Sequence, residues 1–240
     1  MYKILGRDNT TKVIQKSLNK IPQEGLICNL DMQHRIGANI QDRTKHGYDG
    51  VTGNVTSVKG IKDINSGIYF TTSTSSYCNI SNLFIADYNT FSINVWIKGT
   101  QTSMYPFMSG FYNFSNNTRY VRISTGANAI SFGFRYNSTW PWRIDFSTNK
   151  IQDGNWHMIT AVRNGETNSI YLYFDGVRVG DAEGTATQNP SIIGSYPMTL
   201  NGVLPVSRTG LFTHGGFLFY DRVLREKEIE YLYNKGYGIK

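Results

Sequence analysis

Between Asn155 and Gly180 the chain reads NWHMITAVRNGETNSIYLYFDGVRVG, a stretch whose apolar residues recur with a period of two. Trp156, Met158, Thr160 and Val162 alternate with His157, Ile159 and Ala161. After the turn residues Asn164-Gly165, Ile170, Leu172 and Phe174 resume the alternation. Side chains spaced this way project to opposite sides of an extended strand. Asp175-Gly176 then supplies a two-residue hairpin turn into VRVG, because both residues tolerate positive φ. The segment reads as a three-stranded antiparallel meander, which needs a second apolar layer to cover it. His157 is one position of a strand here, with no acid or nucleophile that the sequence pairs with it.

The same period recurs along the chain. In GLICNLDM, Leu26, Cys28, Leu30 and Met32 fall on one face of a strand; in TFSINVWIKG, Phe91, Ile93, Val95 and Ile97 face one way and Trp96 the other, so this strand has something to cover on both sides. Ile130, Phe132, Phe134 and Tyr136 alternate with small and charged residues. Trp140, Trp142, Ile144 and Phe146 continue in one parity beyond NST, predicting a hairpin with Pro141 at an edge or strand start. Near the C-terminus the period changes: Ile229, Leu232 and Tyr233 form a helical stripe, and Gly236 suits the left-handed position past a helix end. With 24 Gly, 16 Tyr and 13 Phe, the composition favours short strands and turns. Leu26, Ile93, Val95, Trp156, Leu172 and Phe174 are the expected core.

Of the net charge of +7, +4 lies in residues 1–20, where Lys3, Arg7, Lys12, Lys16 and Lys20 face Asp8 alone. This segment reads as a basic arm. YKIL and TKVIQ around GRDNT suit a hairpin, while Ile14, Leu18 and Ile21 fall at helical spacing before Pro22. The expected organisation is an arm or added hairpin over 1–21 and a single sandwich over 22–240. Cys28 and Cys78 are the only cysteines, too few for a disulfide framework, and both are expected to stay reduced. No run has the length of a signal-peptide core or a membrane span, so synthesis in a cytoplasm without membrane insertion is expected.

Taken together these elements resemble the laminin-G-like, concanavalin A-like lectin/glucanase jelly rolls. EGLICNLDM resembles the opening strand, IQDRTKHGYDGVTGN the loop after it, and FSINVWIKG a central strand. GNWHMITAVRNGETNSIYLYFDGVRVG resembles the Trp-His strand and its Asp-Gly hairpin, and GFLFYDRVLREKEIEYLYNKG the closing strand and helix. The resemblance spans about residues 24–236, in the family's order. It implies an all-β jelly roll of two antiparallel sheets with a short C-terminal helix. There are two departures: Arg225 stands where the family has a Ser or Thr helix cap, and Tyr48 replaces a small polar residue in KHGYDG.

Glycosidases of this fold need two carboxylates flanking the scissile bond. Here Glu24, Glu166 and Glu183 are isolated, and Glu226, Glu228 and Glu230 read as the solvated face of the last helix. Nothing near His34, His46, His157 or His214 forms a nucleophile elbow. Relatives that hold calcium draw attention to Asp31, Asp42 and Asp49, but loop acids of this kind need no ion, so no metal or other cofactor is assigned. A glycan site in such a fold needs flat aromatic faces and planar polar groups; Tyr136, Trp140, Trp142 and Arg143, at one hairpin end, are the candidates. The resemblance leaves a non-enzymatic protein. The first expectation is a structural component of a phage virion, a capsid decoration or fibre held to other particle proteins through the basic arm or as a homo-oligomer. The alternative is a lectin module that recognises cell-surface carbohydrate.

Overall fold

The computed structural model describes residues 21–61, 67–71, 76–81, 83, 88–100, 105–112, 119–126, 128–136, 139–184, 198–201 and 211–236. Residues 1–20 of the expected arm lie outside the described residues. In chain order the strands are β1 (Leu26–Ile36), β2 (Asn39–Asp42), β3 (Gly50–Gly53), β4 (Val55–Val58), β5 (Gly67–Phe70), β6 (Tyr77–Ile80), β7 (Phe91–Gly99) and β8 (Tyr105–Tyr112). They continue as β9 (Arg119–Gly126), β10 (Ala129–Tyr136), β11 (Thr139–Ser147), β12 (Trp156–Asn164), β13 (Ser169–Phe174), β14 (Val177–Glu183), β15 (Met198–Leu200) and β16 (Phe212–Tyr220), before helix α1 (Glu226–Tyr231).

Two antiparallel sheets pack face to face, as expected for a jelly roll. One runs β11-β10-β9-β8-β15-β6-β3-β2, the other β1-β16-β7-β12-β13-β14, and β4–β5 attaches to β16. Strand β1 joins them: Cys28 to Leu30 pair with β16, whereas Arg35 and Ile36 pair with β2. The expected meander is β12-β13-β14, and its turn holds Asp175 at φ 50° and Gly176 at φ 83°. The hairpin expected through NST is β10–β11.

The core lies between the sheets. From the first come Ile80, Ile123, Phe132, Phe134 and Trp142; from the second come Leu30, Ile93, Val95, Leu172, Phe174 and Phe217, all buried. At the closed edge β11 meets β13 and β14, with the rings of Phe146 and Phe174 5.8 Å apart. A Cβ on Gly180 would come within 2.4 Å of Ile144, so only glycine lets these strands approach.

A second apolar cluster covers the far side of β7, β12 and β16. Trp96, Met158, Val162, Leu218 and Tyr220 pack there against Leu224, Ile229 and Leu232. Trp96 stacks on Tyr233 with centroids 5.8 Å apart and planes 11° from parallel. This is the double cover that the apolar residues on both faces of β7 call for. Ser92 fastens the covering segment, its Oγ donating to Arg222 O and accepting from Leu224 N. Five of the six expected core residues are buried; Trp156 is half-buried and packs on this second cluster.

Two sequence expectations are corrected here. Leu26 shares parity with Cys28, Leu30 and Met32, yet it belongs to the outer cluster. A bulge between Leu26 and Cys28 shifts the register and reverses which face the strand presents. Nor is Glu228 a solvated helix residue. Its Oε1 and Oε2 accept from Arg222 Nη2 and Nη1 at 2.8 and 2.9 Å, and Oε2 accepts the Arg225 backbone N–H at 2.9 Å. This carboxylate supplies the cap that the Arg225 side chain does not. The hydrogen bonds from Arg222 hold the Glu228 carboxyl down to about 2, against the opposing effect of burial.

Cys28 and Cys78 are buried and unbridged. Burial pushes the Cys28 thiol well above the ordinary range, and Cys78 up to about 12. Neither forms a thiolate readily while folded. Thiol counting on denatured, non-reduced protein is expected to find two free thiols per chain, and native protein should resist alkylation at pH 8 under conditions that label the denatured chain at once. Rapid labelling of the native protein would contradict this burial.

Candidate functional site

The residues singled out from sequence lie on the β10–β11 hairpin. Phe134 pairs with Trp142 but Tyr136 pairs with Thr139, so Trp140 and Pro141 together oppose Arg135. Such a bulge breaks the parity that places Trp140 with Trp142, Ile144 and Phe146. Pro141, with no N–H to give, suits the interruption. Trp142 therefore faces the core, fully buried, its Nε1 donating to Asn168 O at 3.2 Å. Trp140 is half-buried, and its ring lies 4.6 Å from the Arg122 guanidinium and 5.3 Å from that of Arg143.

Both arginines belong to the face turned away from the core. Directly paired residues share a sheet face, and the pairs run Asn39–Val51–Asn79–Thr199–Ser109–Arg122–Gly133–Arg143 from β2 to β11. The adjacent buried row, by contrast, holds Ile80, Met198, Val121, Phe134 and Trp142. The outer row is mainly polar, interrupted by Val51 and Gly133, and Thr199 Oγ1 donates to Asn79 Oδ1 at 2.9 Å within it. Gly133 fills the place between the two arginines without a side chain; a Cβ there would meet Trp142 O at 2.6 Å.

Arg143 is held by its own strand. Its Nε reaches the two Asp145 carboxylate oxygens at 2.9 and 2.7 Å, and Ser131 Oγ donates to the same carboxylate. Of the four residues singled out from sequence, the structure brings Trp140 and Arg143 together and places Trp142 in the core, where it offers no surface to a ligand. Tyr136 stands at the end of β10 opposite Thr139, and its side chain lies outside the described residues. Arg122 went unnoticed in the sequence, because only cross-strand register places it beside Trp140.

The histidines have structural settings. His157 is buried with Nδ1 2.8 Å from Asp175 Oδ2 and Nε2 3.1 Å from Asp153 Oδ1, stacked on Phe174. Asp175 Oδ1 also accepts the Met158 N–H, so the ring ties β12 to the β13–β14 turn. This pairing of His157 with two acids corrects the sequence reading. Burial works against the His157 charge, but the hydrogen bonds and charges of Asp175 and Asp153 outweigh it and raise its pKa above 6.5. His214 is fully buried beside Phe70, and neither ring nitrogen has a hydrogen-bond partner among the described residues. Burial pushes its pKa down to about 3.

The acids considered for calcium organise a loop. Asp42 Oδ1 accepts from the Asn29 and Thr44 N–H groups, and its Oδ2 accepts from Thr44 Oγ1 and the Tyr48 N–H; Asp49 Oδ1 accepts the Asp42 N–H. Those bonds engage the Asp42 lone pairs that a hard cation would use. Asp31 Oδ1 likewise accepts the Gln33 N–H.

Two outcomes follow from this geometry. Trp142→Ala should cost about 3–5 kcal/mol of stability, and Trp140→Ala, on the outer face, about 1–2 kcal/mol; denaturant unfolding of the two variants measures the contrast, and equal losses would contradict it. The second outcome concerns pH. The His157 contribution is fully present below its unfolded pKa of about 6.5 and is lost as pH rises through the raised folded value. That of His214 is present above about 6.5 and is lost as pH falls toward the depressed value. Asp153, held low chiefly by the Asn155 N–H and His157 against the opposing effect of burial, loses its contribution only below about pH 4. Melting temperature should therefore peak near about pH 6.5, with the alkaline limb flattened in His157→Gln and the acid limb flattened in His214→Phe.

Several solved structures resemble this fold. The binding domain of Paraclostridial Mosquitocidal Protein 1 is similar with a TM-score of 0.66 at 17% identity, over 88% of this chain and 52% of that one. A botulinum neurotoxin type C structure, described as entering cells through interaction with two ganglioside molecules, is similar with a TM-score of 0.65 at 15% identity, over 88% and 51%. The Trypanosoma rangeli sialidase in complex with sialic acid is similar with a TM-score of 0.67 at 13% identity, over 91% and 34%. These are likenesses of fold, and the chain spans about half the length of the two toxin chains. No curated protein sequence matches it significantly. The sequence model of the concanavalin A-like lectin/glucanase superfamily matches residues 72–230, well over half of the chain, and the protein belongs to that family.

Proposed function

We propose that this protein is a non-catalytic binding module that recognises carbohydrate through the outer face of the β2-to-β11 sheet. The observation that carries the reading is Trp140, turned by the β11 bulge out of the core onto a polar sheet face beside Arg122 and Arg143. An indole next to planar hydrogen-bond donors suits a sugar, whose C–H face is apolar and whose hydroxyls need partners. The ganglioside- and sialic acid-binding named for two proteins of like fold supports the same reading. Glycoside hydrolysis needs a pair of opposed carboxylates. The carboxylate beside Arg143, that of Asp145, is engaged by Arg143 and Ser131.

Carriage of this module on a phage virion, as a decoration or fibre, is the second reading. It is favoured by the +4 charge concentrated in residues 1–20, which would dock on a neighbouring particle protein. The two readings are compatible, since a virion surface protein can bear a sugar-binding face.

A glycan array carrying neutral and acidic oligosaccharides tests the first. Wild-type protein should bind a defined subset, and Trp140→Ala should lose that binding while its melting temperature falls by no more than about 8 °C. Absence of any glycan signal for the wild type would overturn the reading.

A further inference from the structure

Arg143 is held in a way that selects among sugars. Its Nε is occupied by Asp145, whose carboxylate is in turn fixed by the buried Ser131 hydroxyl. No group among the described residues accepts a hydrogen bond from its terminal Nη1 or Nη2, and the residue is exposed. A guanidinium anchored through Nε presents its remaining two amino groups as a planar fork, the geometry that meets a carboxylate with two parallel hydrogen bonds. Beside the fork lies the Trp140 indole, 5.3 Å from Cζ, and Arg122 brings a second cation to within 4.6 Å of the same ring.

Resting on the carbohydrate reading above, we propose that the site takes acidic sugars, with the carboxylate of a sialic or uronic acid received end-on by Arg143 and the sugar ring lying along Trp140. A neutral sugar would leave the fork hydrated and gain only the contact with the indole. Asp145 does not defeat the arrangement. It lies on the Nε side of Arg143 and fixes the orientation of the guanidinium, so the fork loses little freedom when a carboxylate arrives.

Calorimetric titration with sialyllactose beside lactose, and with a glucuronic acid-capped disaccharide beside its glucose-capped counterpart, tests this. The acidic member of at least one pair should bind about tenfold or more tightly. That preference should disappear in Arg143→Gln and also in Arg143→Lys, which keeps the charge but loses the planar fork, with both variants melting as the wild type does. Equal affinity for acidic and neutral members would overturn the acidic-sugar inference and leave the carbohydrate reading standing. A preference that survives in Arg143→Gln, or in Arg143→Lys, would overturn the role given to the fork. Failure to bind any of the four would overturn both.

Discussion

Strand β7 is buried on both faces, and much of the architecture answers that constraint. Ile93, Val95 and Ile97 demand the opposing sheet, while Trp96 on the other side demands a cover of its own. An indole left in water there would forfeit several kcal/mol of burial. The chain meets the second demand with its C-terminal segment: Ser92 pins Arg222 and Leu224, Glu228 clasps Arg222 and Arg225, and Tyr233 reaches back to stack on Trp96. The short helix α1 gains its stability from this packing, since a helix of 6 residues is marginal alone.

The face of the β2-to-β11 sheet turned away from the core varies along its length: Arg143 is exposed near one edge, while Thr199 in the same row is buried. The outer face of the β2-to-β11 sheet carries amides, hydroxyls, guanidiniums and Val51 along its paired row, and the Trp140 indole lies beside the two arginines. The contrast is physical: β7 needs apolar cover on both faces, whereas the outer row of the other sheet is mainly polar and presents Trp140 and Arg143 at its β11 end.

His157 plays a structural part. Its imidazole bridges Asp153 and Asp175 and secures the Asp-Gly turn, so the pair of acids that would look catalytic in isolation acts as a clamp between neighbouring strands. His214 is a different case, a neutral ring enclosed beside Phe70. The two histidines pull stability in opposite directions with pH because one is held by opposite charges and the other is buried with no hydrogen-bond partner among the described residues.

From sequence alone the period of two announced the strands, Asp175-Gly176 announced the hairpin, and Trp96 announced that β7 needs two covers, because each signal is local to a few residues. The reversal of Leu26 and of Trp140 was not legible. Each depends on a bulge, and a bulge exists only in the register between a strand and its partner, β16 for Leu26 and β10 for Trp140. Arg122 was hidden for the same reason: it is 18 residues from Trp140 in the chain and reaches it only through the pairing of β9 with β10 and of β10 with β11. Which residues alternate is written in the chain, because a strand's own geometry sets it. Which of them meet, and on which side of a sheet, was decided by hydrogen bonds to strands that sequence order does not name.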